Sequence, residues 1–193
     1  MFDKLKAAVQ FGANLVRRGD LDEKAEAHGR FKVECFDKDG KLKWTEEFEN
    51  VVTNVGKNYA LDGYLQTAVT IVGPFMGLIS SVSYGAGPVV GDTMASHAGW
   101  TEAGGTNAPT YTAPRKTCAW SAASAGSKSL SAALSFAITG TGTIKGAFIV
   151  LGTGALSTID NTAGTLYSAG LFTGGDRSVV NLDTVNVSYT ASL

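Results

Sequence analysis

The stretch 130–151, LSAALSFAITGTGTIKGAFIVL, constrains the fold of this chain more than any other stretch. Its first half places apolar side chains at every second position, which is the period of a strand with one buried face. These alternating residues are Leu130, Ala132, Leu134, Phe136 and Ile138. Gly140 and Gly142 then supply a turn, and the run from Thr143 to Leu151 is again apolar and β-branched. We therefore predict a central β-hairpin, with Phe148 and Val150 also inside the protein.

Charge divides the chain at about Lys57. Residues 1–57 hold 22 of the 33 charged side chains, although they are less than a third of the 193 residues. Of the last 93 residues, 53 are Gly, Ala, Ser or Thr, a composition that favours strands and turns over helices. This pattern predicts one β domain with an appended arm. The net charge of −1 gives no attraction to nucleic acid or to an anionic membrane, so we expect neither as a partner.

The first 29 residues are predicted to form a helical docking arm. Their apolar residues recur at helical spacings. These residues are Phe2, Leu5, Val9 and Val16. A charged segment, residues 20–28, follows, and Gly29 is interpreted as its C-terminal cap. We expect the apolar stripe to dock on the surface of a partner protein; the alternatives are packing on its own domain or on a lipid surface.

Two further elements are predicted before residue 68. Arg30 to Trp44 alternates around the turn Asp37–Gly40, which indicates a charged hairpin. If DKDG were part of a calcium loop, Cys35 would occupy the first ligand position and Glu46 the last, and the ligand pattern of such a loop fails. We therefore favour turn chemistry. Glu46, Glu47 and Glu49 are expected to form a solvated face. A short strand at Val51–Val52 leads to a helix over 54–67, capped by Thr53 or Asn54.

The loop 97–113 contains several glycines and prolines and no sustained period, so we expect it to be long and exposed. Trp100 and Tyr111 are its candidate partner-binding residues, and packing back on the sheet is an equal alternative. After it, Val179–Val180 and Val185–Tyr189 indicate a closing strand or strand pair.

Residues that carry chemistry are scattered. Asp92, His97 and one of the many serines can be drawn as a triad, but no GxSxG elbow accompanies them. His28 and His97 are far apart and belong to no metal motif, and no glycine loop continues as a phosphate-binding motif. Cys35 and Cys118 are interpreted as buried free thiols rather than a disulfide. We therefore predict no enzyme activity, no catalytic residue, no metal and no cofactor.

The order of several motifs resembles small virion proteins of tailed bacteriophages, namely capsid decoration or cement proteins and tail-fibre or tail-adaptor subunits. In sequence order these motifs are ENVVTNVGKNYALD, SYGAGP, GDT, the basic pair Arg115–Lys116, a strand near Trp120 and SVVNLDTVNVSYTASL. The resemblance covers roughly residues 30–193. It implies a β-sandwich that is often multimeric and adheres to other virion subunits, and it transfers no catalytic residue.

Together these observations predict a mainly β chain. Residues 30–193 are expected to form a jelly-roll-like β-sandwich with one short internal helix, preceded by the arm 1–29. The expected function is a non-enzymatic virion structural protein, a capsid decoration subunit that forms a homo-oligomer, with a trimer as the first guess. Its partners are expected to be capsid or tail proteins of the same virion, which is assembled in the host cytoplasm. The alternative is a tail-fibre or tail-adaptor subunit, or a carbohydrate-binding adhesin module.

Overall fold

The structure, a computed structural model, describes residues 27–65 and 72–192, and this part of the chain is mainly β, with two antiparallel sheets and one helix. The helix is α1 (Asn54–Leu65). The strands are β1 (His28–Phe36), β2 (Leu42–Glu49), β3 (Val51–Val52), β4 (Phe75–Ser80), β5 (Thr101–Glu102), β6 (Lys116–Thr117), β7 (Ser127–Ser129), β8 (Leu134–Ala137), β9 (Gly142–Leu151), β10 (Thr165–Leu171), β11 (Arg177–Val179) and β12 (Thr184–Ser192). The predicted arm residues Phe2, Leu5, Val9 and Val16 lie outside the described residues.

The first sheet, sheet A, has the order β2-β1-β12, and both β7 and β8 pair with β12 at different points along it. Sheet B has the order β3-β10-β9-β4-β5, with β11 added to β9 and β6 added to β4. In sheet A, β1 pairs with β12 along its whole length, from His28 opposite Ser192 to Phe36 opposite Thr184. The two ends of the described chain therefore lie side by side.

A first core lies between the two sheets. Sheet A contributes Phe31, Val33, Phe136, Val185 and Val187, and sheet B contributes Met76, Leu78, Ile144 and Ile149. The predicted inward positions Phe136 and Ile138 are fully buried, and Leu134 is half-buried against the same core. Ala132, which the same alternation placed inside, is exposed, and β8 begins only at Leu134, so the prediction of the buried face holds from Leu134 onward.

The predicted central hairpin is wrong, because β8 and β9 belong to different sheets. β8 pairs with β12 in sheet A, whereas β9 is the centre of sheet B. The corner between them is held by other segments: the Ile138 amide donates to the Asp183 carbonyl at 2.8 Å, and the Thr139 amide donates to the Thr110 carbonyl at 2.9 Å. The chain crosses the core at this corner, so the two apolar rows are buried without becoming neighbours in one sheet.

A second core covers the other face of sheet B. It contains Ile79, Met94, Trp100, Phe148, Val150, Ala155, Leu166 and Ala169. Phe148 and Val150 are therefore inside, as predicted, but they face away from Phe136. Since β9 is buried on both faces, its sequence is a continuous apolar run without strict alternation.

The charged hairpin β1–β2 is confirmed, with Phe31 opposite Phe48. In its turn, the Asp37 carboxylate accepts the amides of Asp39 and Lys41, both at 2.9 Å. The hydrogen bond from the Lys41 amide holds the pKa of Asp37 below its ordinary value. Gly40, with φ of 80°, completes the turn, and this is the turn chemistry that the sequence favoured over calcium.

Glu46 is an exception to the predicted solvated face, because it points inward beside Phe48 and is 6 % exposed. Arg177 of β11 donates to its carboxylate, and the Gly174 amide donates to it at 3.1 Å. This carboxylate therefore ties the edge of sheet A to sheet B. Glu47 and Glu49 are exposed, as expected.

Gly29 is not a helix cap, because β1 begins at His28 and Gly29 is paired opposite Ala191. A Cβ atom at Gly29 would stand 2.1 Å from the Tyr189 hydroxyl oxygen and 2.5 Å from its ring carbon Cζ. The glycine is needed here because an aromatic ring lies directly over its backbone. The sheet therefore begins two residues before the predicted boundary at residue 30.

Replacing Gly29 by Ala is expected to lower the free energy of unfolding by about 1–3 kcal/mol, because the buried Tyr189 ring must move. The matched control is Gly63→Ala in α1, where a Cβ meets nothing within 4 Å. That substitution is expected to raise stability by up to about 1 kcal/mol. Urea unfolding of both variants checks the pair, and equal effects would contradict this account of Gly29.

Candidate docking groove

An apolar groove of about 600 Å³ opens at the end of the first core, where β1 begins and β12 ends. We call it the apolar groove. The large side chains that line it include Val52, Tyr59, Trp120, Ile149, Leu151 and Tyr167. Ala27, the first described residue, and Ser192, the last, both lie on its wall. The groove is therefore built at the point where both ends of the described chain meet.

Helix α1 forms one wall of the apolar groove. Thr53 is its N-cap: the Thr53 hydroxyl accepts the Gly56 amide at 3.1 Å, which decides between the two predicted caps. Gly56 lies directly on β10, since a Cβ there would be 2.5 Å from the Tyr167 carbonyl oxygen. Later in the helix, Leu61 and Leu65 are 56 % and 82 % exposed. The helix is thus fixed to the sheet at its first turn, and its later turns carry uncovered apolar side chains.

The apolar groove is continuous with the first core. Trp120, Tyr167 and Ala191 line the groove and are also packed, half-buried, against the first core. The Trp120 ring meets the Tyr189 ring edge-on, with centroids 6.0 Å apart. In the described part of the chain, the groove is therefore an open end of the inter-sheet core and not a separate surface depression. Uncovered apolar surface of this kind is typical of contact sites.

The apolar groove is lined by two charged side chains, and both are cationic. Among the described residues that line it, these are Lys57 on α1 and Lys128 on β7. The Lys128 ammonium donates to the Ser121 carbonyl at 3.0 Å. Burial raises the pKa of Tyr59, so its phenol stays neutral at physiological pH. The groove therefore suits an apolar occupant with a neighbouring negative charge.

Trp100, a predicted partner-binding residue, is buried at 1 % exposure in the second core. Its indole N–H donates to the Asp92 carboxylate at 3.0 Å, and its ring stacks on His97 with centroids 4.0 Å apart. Of the two alternatives for Trp100, packing on the sheet describes the structure. It lies outside the apolar groove.

Tyr111, the second predicted residue of that loop, is also buried, at 3 % exposure in the first core. Its ring meets Phe136 edge-on at 5.0 Å. Its hydroxyl has no hydrogen-bond partner among the described residues, and burial strongly raises the pKa of this phenol. The loop 97–113 is therefore more tightly packed than its glycines and prolines indicated.

The other residues considered for chemistry have structural roles. Asp92 accepts the Trp100 indole and the Val89 amide, and His97 Nδ1 bonds to the Trp100 carbonyl oxygen at 3.0 Å. Cys35 and Cys118 are buried free thiols, as predicted, and burial raises the pKa of each to about 12. No group of three potential metal ligands occurs in the described ranges.

A buried ion pair between Arg115 and Glu102 was not anticipated. Arg115 Nε and Nη2 donate to the two carboxylate oxygens of Glu102 at 2.8 and 2.6 Å. The sequence shows Arg115 only as one half of a basic pair with Lys116, and no local spacing links it to Glu102. The apolar groove was missed for a related reason, because its lining comes from segments distant in sequence.

No family model, curated protein or solved structure matches the chain. None of the helical residues described here forms a segment long and apolar enough to cross a membrane. The features available for a functional conclusion are therefore the two-sheet body and the apolar groove.

Proposed function

We propose that this protein is a non-enzymatic structural subunit of a tailed-bacteriophage virion, most specifically a capsid decoration subunit. It would act by protein–protein contact with capsid or tail proteins, in the virion assembled in the host cytoplasm. The observation that carries the proposal is the apolar groove, an apolar surface that the described residues form at one end of the β core and that suits a polypeptide segment such as the arm of a neighbouring subunit. The resemblance of residues 30–193 to such virion proteins supplies the biological setting.

We propose in addition that the two sheets form a jelly-roll-like sandwich with an N-terminal helical arm. Four connections support this fold, since each passes from one sheet to the other: β2 to β3, β6 to β7, β8 to β9 and β11 to β12. The β8–β9 and β11–β12 connections lie together, because the Leu182 amide donates to the Ile138 carbonyl at 2.9 Å. Connections that switch sheets are what distinguish such sandwiches from stacked meanders.

Exposed apolar side chains near α1 support a homo-oligomer, and the trimer is the subunit number that the resemblance to virion proteins implies. Leu61 and Leu65 on the helix are exposed, and so are Val89 and Val90 in the loop that receives the Asn54 amide. Light scattering of the purified protein tests this. We expect a species about three times the monomer mass, and a monomer at all micromolar concentrations would contradict the oligomer.

The adhesin alternative depended on Trp100 and Tyr111 as exposed contact residues, and both are buried. A tail-fibre or tail-adaptor subunit uses the same kind of contact as a decoration protein. The position on the particle separates these two, so imaging decides between them.

The proposal predicts that the purified protein binds to phage particles that lack it. We expect saturable binding and regular density on the head in electron micrographs, whereas density on the tail would replace the decoration role by the adaptor role. No binding to either the head or the tail would overturn the virion proposal.

The arm is tested by deleting residues 1–26, which spares β1 and its Gly29. We expect weaker particle binding because the docking stripe is removed.

A further inference from the structure

We propose that the apolar groove is the receptor for the N-terminal segment of this same chain, residues 1–16, supplied by its own or a neighbouring copy. This inference rests on the proposed function only in taking that segment as the docking element; it identifies the surface that the segment binds. Three observations support it: the position of the groove, its apolar lining and its charge.

The first observation is position. Ala27 lies on the wall of the apolar groove, so the 26 residues before it start at the groove rim. Ten residues, 17–26, separate Ala27 from the end of the apolar stripe at Val16. Ten residues span at most about 33–36 Å. A connection of this length lets the stripe contact the groove that Ala27 lines.

The second observation is the match between two apolar surfaces. The stripe Phe2, Leu5, Val9 and Val16 lies on one side of a predicted helix, which over residues 2–16 is about 22 Å long. The groove presents Val52, Trp120 and Leu151 at the open end of the first core. Joining the two removes apolar area from water on both sides.

The third observation is charge. The lining carries Lys57 and Lys128 and no carboxylate among the described residues. The segment 20–26 contains four acidic residues and one lysine, and it directly precedes Ala27. The acidic residues are Asp20, Asp22, Glu23 and Glu26. Ala27 lines the groove together with both lysines, so the chain connection brings these acidic residues toward the two cations. Opposite charges attract at separations up to the screening length of about 8 Å at physiological salt.

A segment tethered to the protein has an advantage in concentration over a free partner for binding to the apolar groove. A free partner helix binds the apolar groove at its bulk concentration, whereas a tethered segment has an effective concentration in the millimolar range. The segment is present on every copy, so a full-length chain always carries its own ligand. In an oligomer, a neighbour's segment has a similar advantage, and the exchange would link subunits.

Cross-linking tests the proposal in the full-length protein. Val9→Cys in the segment is combined with Ala123→Cys, an exposed groove position, and treated with a short bis-maleimide. The native thiols Cys35 and Cys118 are buried with pKa values of about 12, so they do not compete. The control pairs Val9→Cys with Lys38→Cys, in the turn at the far end of the nine-residue strand β1, about 30 Å from its start.

We expect the groove pair, Val9→Cys with Ala123→Cys, to cross-link at least about tenfold faster than the control pair, Val9→Cys with Lys38→Cys. The reason is the high effective concentration of a bound segment beside the groove. Adding Leu5→Asp, on the stripe, should abolish the difference, and adding Ala7→Asp, on the opposite side of the helix, should preserve it. A cross-linked monomer assigns the segment to its own groove and a cross-linked dimer to a neighbour's; both support the proposal. Equal rates for the two pairs would overturn it, and particle binding would still stand as a separate result.

Discussion

Replacement of Arg115 by Met is expected to lower the free energy of unfolding by about 3–5 kcal/mol, because it leaves the Glu102 carboxylate buried without its cation. Arg115 and Glu102 are 1 % and 4 % exposed. The guanidinium also donates to the carbonyls of Leu156 and Asn161, at 3.0 and 2.7 Å, so the substitution also leaves two loop acceptors without a donor. The ion pair therefore fixes the loop between β9 and β10 on the second core.

The matched control is Arg30→Met, which removes an arginine from an exposed ion pair with Glu47. The side chains of that pair are 60 % and 48 % exposed, so its loss is expected to change stability by less than about 1 kcal/mol. Urea unfolding at pH 7 compares the two variants. A loss below about 1 kcal/mol for Arg115→Met would show that the buried pair contributes little.

The Arg115→Met variant should also be more stable in mild acid than at neutral pH, relative to the unchanged protein. Burial raises the pKa of Glu102, and Arg115 opposes that rise. Without Arg115 the folded-state pKa rises further, above the unfolded value of about 4.3. The folded state then binds the proton more tightly, so stability is retained at low pH and falls as the pH passes upward through the folded-state pKa. Unfolding measured at pH 5 and pH 8 checks this sign.

The Arg115–Glu102 pair also shows what the sequence leaves undetermined. Hydrophobic periodicity identified the buried face of β8 because Phe136 and Ile138 alternate with small residues. It did not show that β8 and β9 are in different sheets, since the alternation is the same whether the next strand is a neighbour or lies across the core. The decisive contacts, such as the Ile138 amide with the Asp183 carbonyl, join residues far apart in the chain.

Burial of polar residues was equally hard to predict. Glu46 shares its inward face with Phe48, but a lone acid next to two exposed acids has the composition of a solvated edge. Its partner Arg177 comes 131 residues later. The sequence around Trp100 has no period that separates a contact residue from a core residue. Its place in the second core depends on Phe148 of another strand. In each instance the contact that decides the position joins residues far apart in the chain. The turn at Asp37 and the helix cap at Thr53 depend on neighbouring residues, so the sequence predicts them.

Replacing Phe136 by Ala is expected to lower the free energy of unfolding by about 3–5 kcal/mol, through lost apolar burial and the cavity that remains. Phe136 is fully buried in the first core and its strand β8 is paired with β12. Its neighbour Ser135 is exposed on the opposite face of the same strand, so Ser135→Ala is the matched control and should stay within about 0.5 kcal/mol. Urea unfolding of both variants measures the difference.

The loss of unfolding free energy in Phe136→Ala depends on whether the Tyr111 ring can move into the cavity. The Tyr111 ring lies between Phe136, at 5.0 Å, and the backbone of Gly104, where an added Cβ would be 2.3 Å from the ring carbon Cε1. Moving toward the cavity would withdraw the ring from this contact and open a new void beside Gly104, so relaxation recovers little of the lost packing. We therefore expect a loss in the upper half of the range, and a loss below about 1 kcal/mol would show that Phe136 is not part of the structural core.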